Sequence, residues 1–224
     1  MQIFDFRTFE NMTPEEIAEH DAEVKRLEEQ RAQEERAERF RKSGVPERYF
    51  TETFDTYEVK TETQKKAAQA VRSFLVAIAG GGFKSLVMLG SAGVGKTHLA
   101  CALIREIDGG KYRTAPDIIE ELRRAKSFTA DETEAEIISY YGRVPLLVVD
   151  EIGRGINATD EKYMIYQVLN ARYNTRRPTV LISNHNKADF LAYVGVAAAD
   201  RLVESAEIIE LEGESYRRTL RGAK

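Results

Sequence analysis

The sequence predicts an α/β domain built on a parallel sheet, with a glycine-rich loop and an acid pair at its strand ends. Gly90-Ser91-Ala92-Gly93-Val94-Gly95-Lys96-Thr97 is a complete G-x-x-x-x-G-K-[ST] phosphate-binding loop between an apolar run and a helical pattern. Continuous apolar runs alternate with helical stretches, as in parallel sheets covered on both faces. The run 146–149 ends in adjacent carboxylates, Asp150 and Glu151. Open parallel sheets bind ligands at that edge.

Residues 13–42 are dense in Glu, Arg, Lys, Gln and Ala and open on Thr13-Pro14-Glu15-Glu16, a capping box with proline in the first turn. A long charged helix is expected there. Its apolar positions Ile17, Val24 and Leu27 are followed by Arg31 and Glu34 where an a/d heptad would continue, so the pattern describes a solvated arm and not a coiled coil. Ahead of it, Ile3, Phe4, Phe6 and Phe9 are too few for a core and costly to leave wet. They either dock on a partner or fold back on their own domain. Ser43-Gly44-Val45-Pro46 ends the arm, giving domains 1–42 and 43–224.

The second domain opens with a helix over 62–79, stopped by Gly80-Gly81-Gly82. A buried strand at 85–89 then feeds the phosphate loop. Leu99, Leu103 and Ile107, with Ala100 and Ile104 beside them, form the inner face of the next helix. A short strand near Tyr112, helices over 116–124 and 134–141, and the strand 146–149 follow. A helix over 160–173, a strand over 179–182, a helix over 188–193 and a last strand at 208–211 complete five strands.

Composition narrows the function. The 224 residues carry 33 basic and 37 acidic side chains, a formal net charge of −4, so a contact with nucleic acid must be a local patch. One cysteine, Cys101, excludes an intramolecular disulfide and a Cys-rich zinc module. The N-terminus lacks a leader pattern and no stretch approaches a membrane span, so a cytoplasmic protein without membrane contact is expected. His20 and His185 have no ligand partners nearby in sequence, which leaves nucleotide-associated Mg²⁺ as the expected metal.

The motifs assign chemistry residue by residue. Gly90, Gly93 and Gly95 let the loop fold back so that N–H groups converge on phosphates, with Val94 between them and a helix N-terminus behind. Lys96 reaches the β- and γ-phosphates and Thr97 ligates Mg²⁺. His98 contributes a backbone N–H and packing. Asp150 is the second Mg²⁺ partner, and Glu151 orients and deprotonates the attacking water. Asn184, just past the strand 179–182, either contacts the γ-phosphate or caps the next helix. The arginines of Asp200-Arg201-Leu202 and Ser215-Tyr216-Arg217-Arg218 either stabilise phosphoryl charge or form surface ion pairs.

Gly93–Ala100, Val149-Asp150-Glu151-Ile152-Gly153, Arg177-Pro178-Thr179 running into Ser183-Asn184, Asp200-Arg201-Leu202 and Ser215-Tyr216-Arg217 together resemble the AAA+ ATPases of the DnaC/DnaI helicase-loader and IstB group. The resemblance spans roughly residues 43–219. It implies a P-loop domain of AAA+ type that binds ATP with Mg²⁺ and hydrolyses it, self-associates, binds single-stranded DNA and delivers the replicative helicase. Asn184 becomes a sensor-1 residue and Arg201 an arginine finger acting on a neighbouring subunit, while Arg217 lies near the nucleotide or steadies the C-terminal segment. Adenine would sit near Val45, Pro46 and Phe54. The DNA patch would be Arg123, Arg124, Lys126 and Phe128, a stretch that serves equally as a solvated helix end. Several loaders carry a Cys-rich zinc domain that this sequence lacks, so the helicase contact falls to the arm. The alternatives are an IstB-like ATPase that regulates a transposase on double-stranded DNA, and a nucleotide-gated interaction module with negligible turnover.

Overall fold

The computed structural model describes residues 13–127, 130–154 and 159–216. The chain divides into two compact units, Met1–Arg39 and Phe40–Lys224. The aromatic cluster Ile3, Phe4, Phe6 and Phe9, together with Phe128 and Arg217, lies outside the described residues.

The first long helix, α1, runs Pro14–Arg41 and buries no residue. Thr13 N–H donates to Glu16 Oε2 at 2.7 Å and Glu16 N–H to Thr13 Oγ1 at 3.3 Å, the capping box its sequence specifies. The second unit takes in Phe40, whose ring lies 5.7 Å from that of Phe50 and 4.4 Å from the Arg105 guanidinium. Its first residues are therefore held by aromatic packing that begins three residues earlier than the Ser43 break.

The second unit contains helices α2 (Glu62–Ala79), α3 (Lys96–Glu106), α4 (Ala115–Arg124), α5 (Glu134–Arg143), α6 (Thr159–Asn174), α7 (Lys187–Val194) and α8 (Val196–Ser205). Its strands are β1 (Ser85–Gly90), β2 (Lys111–Thr114), β3 (Leu147–Ile152), β4 (Thr179–Ser183) and β5 (Ala206–Leu211). They form one parallel sheet in the order β2-β3-β4-β1-β5. The expected five-stranded parallel sheet with helices on both faces is the one observed. Alternation along the strands builds two cores. Leu86, Met88, Val148, Val180 and Ile182 pack beneath α2 and α3, and Val87, Leu89, Leu147, Val149 and Leu181 pack beneath α4 to α8. Burial on both faces makes these strands read as unbroken apolar runs.

Helix α8 was not legible in sequence. It begins directly after Gly195 closes α7, and among its described side chains Ala198 and Leu202 are buried in the core with Ala199 packed against it. Gly195, at φ 81°, makes the corner between α7 and α8. A second departure sits in β3. Val149 pairs with Leu181 and Ile152 with Ser183, so Asp150 and Glu151 together oppose Ile182 in a β-bulge. Glu151 takes the extra position at φ 58°, which returns Ile152 to the α4–α8 core. Bulges of this kind re-aim side chains where a strand ends.

Arg172 of α6 is 1% exposed and ties the sheet's entry edge to α5. Its Nε donates to Thr179 Oγ1 at 2.8 Å and Nη1 to Val144 O at 3.1 Å, with further donation to the carbonyls of Tyr141 and Pro178. Burial opposes its charge and these acceptors offset that cost. Arg172→Met would strand them without a donor, an expected loss of about 3 kcal/mol, or about 8 °C in the calorimetric midpoint for a chain this size. An unchanged midpoint would show that the carbonyls find other donors.

Candidate functional site

The strand order decides which loops meet. Because β4 lies between β1 and β3, the loop after β1, the acids ending β3 and the residue following β4 stand side by side at one edge. Lys96 Nζ donates to Asn184 Oδ1 at 3.0 Å, and Thr97 Oγ1 to Asp150 Oδ2 at 2.8 Å. Residues separated by 88 and 53 positions in sequence are thereby brought into direct contact.

Gly90, Gly93 and Gly95 adopt φ of 131°, 89° and 101°, conformations that side chains resist. Space excludes a side chain as well: a Cβ on Gly90 would meet Leu211 O at 2.0 Å, and one on Gly93 would meet Ser215 Oγ at 2.1 Å. Carbonyls of the loop are held by donors around it. Lys96 Nζ donates to Gly90 O at 2.6 Å and Ser91 O at 2.8 Å. Tyr216 N–H donates to Gly93 O at 3.0 Å, and Gln64 Nε2 and Tyr57 Oη donate to Val94 O at 3.2 and 3.4 Å. The Val94 side chain is buried in the α2–α3 core.

Asp150 is buried and its carboxylate is shared. Tyr112 Oη donates to Oδ2 at 2.7 Å, and the Glu151 N–H to Oδ1 at 2.6 Å. Burial first, then the charge of Asp150, pushes the Tyr112 hydroxyl up, so it remains a donor to the carboxylate. The same causes raise the Cys101 thiol, which is buried and unreactive as a thiolate. Thr97 and Asp150 offer the hard oxygens that suit Mg²⁺, which takes one or two protein oxygens and completes its shell with phosphate and water. Glu151, 35% exposed at its side chain, reaches past the bulge and pairs with Arg154.

Asn184 does not cap the following helix. That role belongs to Asn186, whose Oδ1 accepts from Asp189 N–H at 2.9 Å. His98 turns its ring from the loop: Nδ1 is 2.9 Å from Glu52 Oε2 and Nε2 2.8 Å from Thr53 O, with the Tyr57 ring edge-on at 5.1 Å. Beside the loop lies a cleft of about 680 Å³ whose walls include Arg48, Tyr49, Tyr57, Lys60 and Tyr216. Cavities of this size take nucleotide-sized ligands. Val45 and Phe54 instead pack with the α2–α3 core, and Pro46 is not among the residues lining the cleft. Tyr57, Gln64, Tyr112 and Tyr216 fall outside the loop and acid motifs; Gln64 carried a local signal in the Thr61-x-x-Gln64 capping box, and Tyr216 lay within the Ser215-Tyr216-Arg217 motif without a role assigned to it.

Arg201 is elsewhere in the same copy. Its guanidinium lies 5.6 and 5.5 Å from the rings of Tyr166 and Tyr173, and Nη1 donates to Ala197 O at 2.8 Å. The surrounding pocket includes Ser85 and Thr179, the first residues of β1 and β4, at the edge opposite the phosphate loop. Of the DNA candidates, Arg123 pairs with Asp160 and Glu161 at 3.3 and 3.1 Å, Arg124 pairs with Glu120, and Lys126 is exposed. Among the described residues no helix is long and apolar enough to cross a membrane.

With this geometry in view, known proteins give a consistent picture. Residues 11–223 match the family described as IstB-like ATP binding protein. The replicative helicase loader DnaC of Escherichia coli K12 is 28% identical over 188 residues, covering 82% of this chain and 76% of that protein. An insertion sequence IS21 ATP-binding protein of Pseudomonas aeruginosa is 32% identical over 143 residues, 60% of this chain and 52% of that protein. The crystal structure of the DnaC helicase loader superposes with a TM-score of 0.67 at 25% identity, covering 75% of this chain and all of that one. The fold is thus a P-loop domain of AAA+ type; the IstB-like family match spans residues 11–223, and the DnaC matches cover 75% and 82% of the chain. The chain belongs to the IstB-like ATP binding protein family.

Proposed function

We propose that this protein is an ATP-hydrolysing loader of the replicative DNA helicase. What carries the reading is a match to the replicative helicase loader DnaC that extends over four fifths of the chain, and therefore well beyond the phosphate loop common to many enzymes. In this reading the cleft beside the loop takes ATP. Lys96 exchanges its contacts with Gly90, Ser91 and Asn184 for phosphate oxygens. Thr97 and Asp150 would hold Mg²⁺, which when bound supplies charge that offsets the developing negative charge on the phosphates. Asn184 orients the γ-phosphate. Glu151, released from Arg154, accepts a proton from the attacking water as the bond from the γ-phosphorus to the bridging oxygen breaks, yielding ADP and phosphate.

Arg201 acts in this scheme on the nucleotide of an adjacent copy in an ATP-dependent assembly. Its position at the edge of the sheet away from its own loop supports a role in trans. Single-stranded DNA would be held by Arg123, Arg124, Lys126 and Phe128, with the ion pairs of Arg123 to Asp160 and of Arg124 to Glu120, both exposed, exchanged for phosphate contacts at little cost and the pair of Arg123 to the more buried Glu161 also broken. The arm, residues 1–42, supplies the helicase contact, and Arg217 borders the nucleotide. The IS21 relative and the family's description favour a second reading, an ATPase that regulates a transposase on double-stranded DNA. The IS21 match covers less of both chains.

Glu151→Gln is expected to bind ATP normally and hydrolyse it about 100-fold more slowly in single-turnover assays. Unchanged turnover would remove Glu151 as the base. Arg201→Ala and Lys96→Ala should each be inactive alone, whereas an equimolar mixture should regain turnover because each supplies what the other lacks. A mixture that stays inactive argues against a shared site. Immobilised full-length protein should retain replicative helicase and a chain lacking residues 1–42 should not. If the full-length protein ignores helicase and stimulates a transposase, the second reading replaces the first.

A further inference from the structure

Gln64 lies outside the phosphate loop and the acid pair, yet it joins the first turn of α2 to the phosphate loop. The residue is 6% exposed and both ends of its amide are used. Oε1 accepts from Lys60 N–H at 2.7 Å and Thr61 N–H at 3.1 Å, which completes the capping box with Thr61. With its acceptor so committed, the amide has one orientation, and Nε2 donates to Val94 O at 3.2 Å. The same helix turn holds the segment after β5, since Thr61 Oγ1 and Thr63 Oγ1 donate to Glu212 O at 3.1 and 3.0 Å. That segment in turn supplies the Tyr216 N–H to Gly93 O.

Peptide planarity turns these outward contacts into inward ones. In a trans peptide the carbonyl of one residue and the N–H of the next point in opposite directions. A donor that holds Val94 O outside the loop therefore aims the Gly95 N–H to the inside, where a phosphate would lie. Tyr57 Oη also reaches Val94 O, at the longer distance of 3.4 Å.

We propose that Gln64 is a positioning residue of the nucleotide site, its amide locked by the α2 cap and holding the Val94–Gly95 peptide so that the Gly95 N–H faces the phosphates. The inference rests on the reading of this loop as the ATP site.

Gln64→Glu separates the two jobs of the side chain. Glutamate keeps an acceptor for Lys60 and Thr61 N–H and suits a helix's first turn, but it has no donor for Val94 O and repels it. Gln64→Ala removes both functions. The expected result is that Gln64→Ala lowers both the thermal midpoint and the affinity for a fluorescent ATP analogue. Gln64→Glu should restore the midpoint while its affinity stays about tenfold below that of the unchanged protein. Lys96→Ala in the same titration identifies binding at this loop. Lys96-dependent binding that Gln64→Glu leaves intact overturns the role of Gln64 alone. Affinity that recovers together with the midpoint overturns it too. If the unchanged protein shows no Lys96-dependent binding, the nucleotide reading itself fails and takes this inference with it.

Discussion

A backbone loop can turn its N–H groups toward one anion only if its carbonyls are satisfied on the other side. In this protein that constraint organises much of the second unit. Away from the site, the carbonyl of Gly93 is taken by the backbone of Tyr216 and that of Val94 by Gln64 and Tyr57, while Lys96, on the site's own side, holds those of Gly90 and Ser91. The partners come from the start of α3, the segment after β5, the first turn of α2 and the segment before it. A short glycine-rich run thus draws together pieces from 57 to 216 in the chain. The glycines are required twice over, by φ and by the closeness of Leu211 and Ser215 to Gly90 and Gly93.

The sheet supplies the second half of the site by strand order. Placing β4 between β1 and β3 sets Asn184 beside Lys96 while Asp150 stands against Thr97. The bulge at Asp150 and Glu151 then separates the two acids in function. Asp150 stays in the sheet's pairing with Thr114 and is buried against Tyr112, whereas Glu151 takes a left-handed conformation and remains partly exposed beside Arg154. One carboxylate is buried and shared, the other partly exposed and paired only at the surface. That division suits an oxygen ligand and a proton acceptor respectively.

A tether of the loop to α2 and to the segment after β5 also couples the site to the rest of the unit. Hydrogen bonds run from the Val94 carbonyl to Gln64, from Gln64 to the α2 cap and, from Thr61 and Thr63, to Glu212. Arg201, held at the far edge of the sheet beside Tyr166 and Tyr173, belongs to a different surface of the unit.

The sequence alone determined the parallel α/β class, the phosphate loop, the acids at the end of β3, the charged helix with its Thr13–Glu16 cap and the family group. These follow from contiguous residues: an apolar run buried on both faces, a glycine spacing or a cap is local and readable. What only the tertiary structure decided depends on residues distant in sequence. It separated Asn184, turned to Lys96, from Asn186, the cap of α7, because both are asparagines at a strand end and only the position of β4 distinguishes them. It exchanged Val45 and Phe54 for Tyr57 and Tyr216 at the cleft, since an aromatic's neighbours are set by packing and not by spacing. It also revealed the bulge, which exists only as a register between β3 and β4, and α8, which is split from α7 by the single residue Gly195.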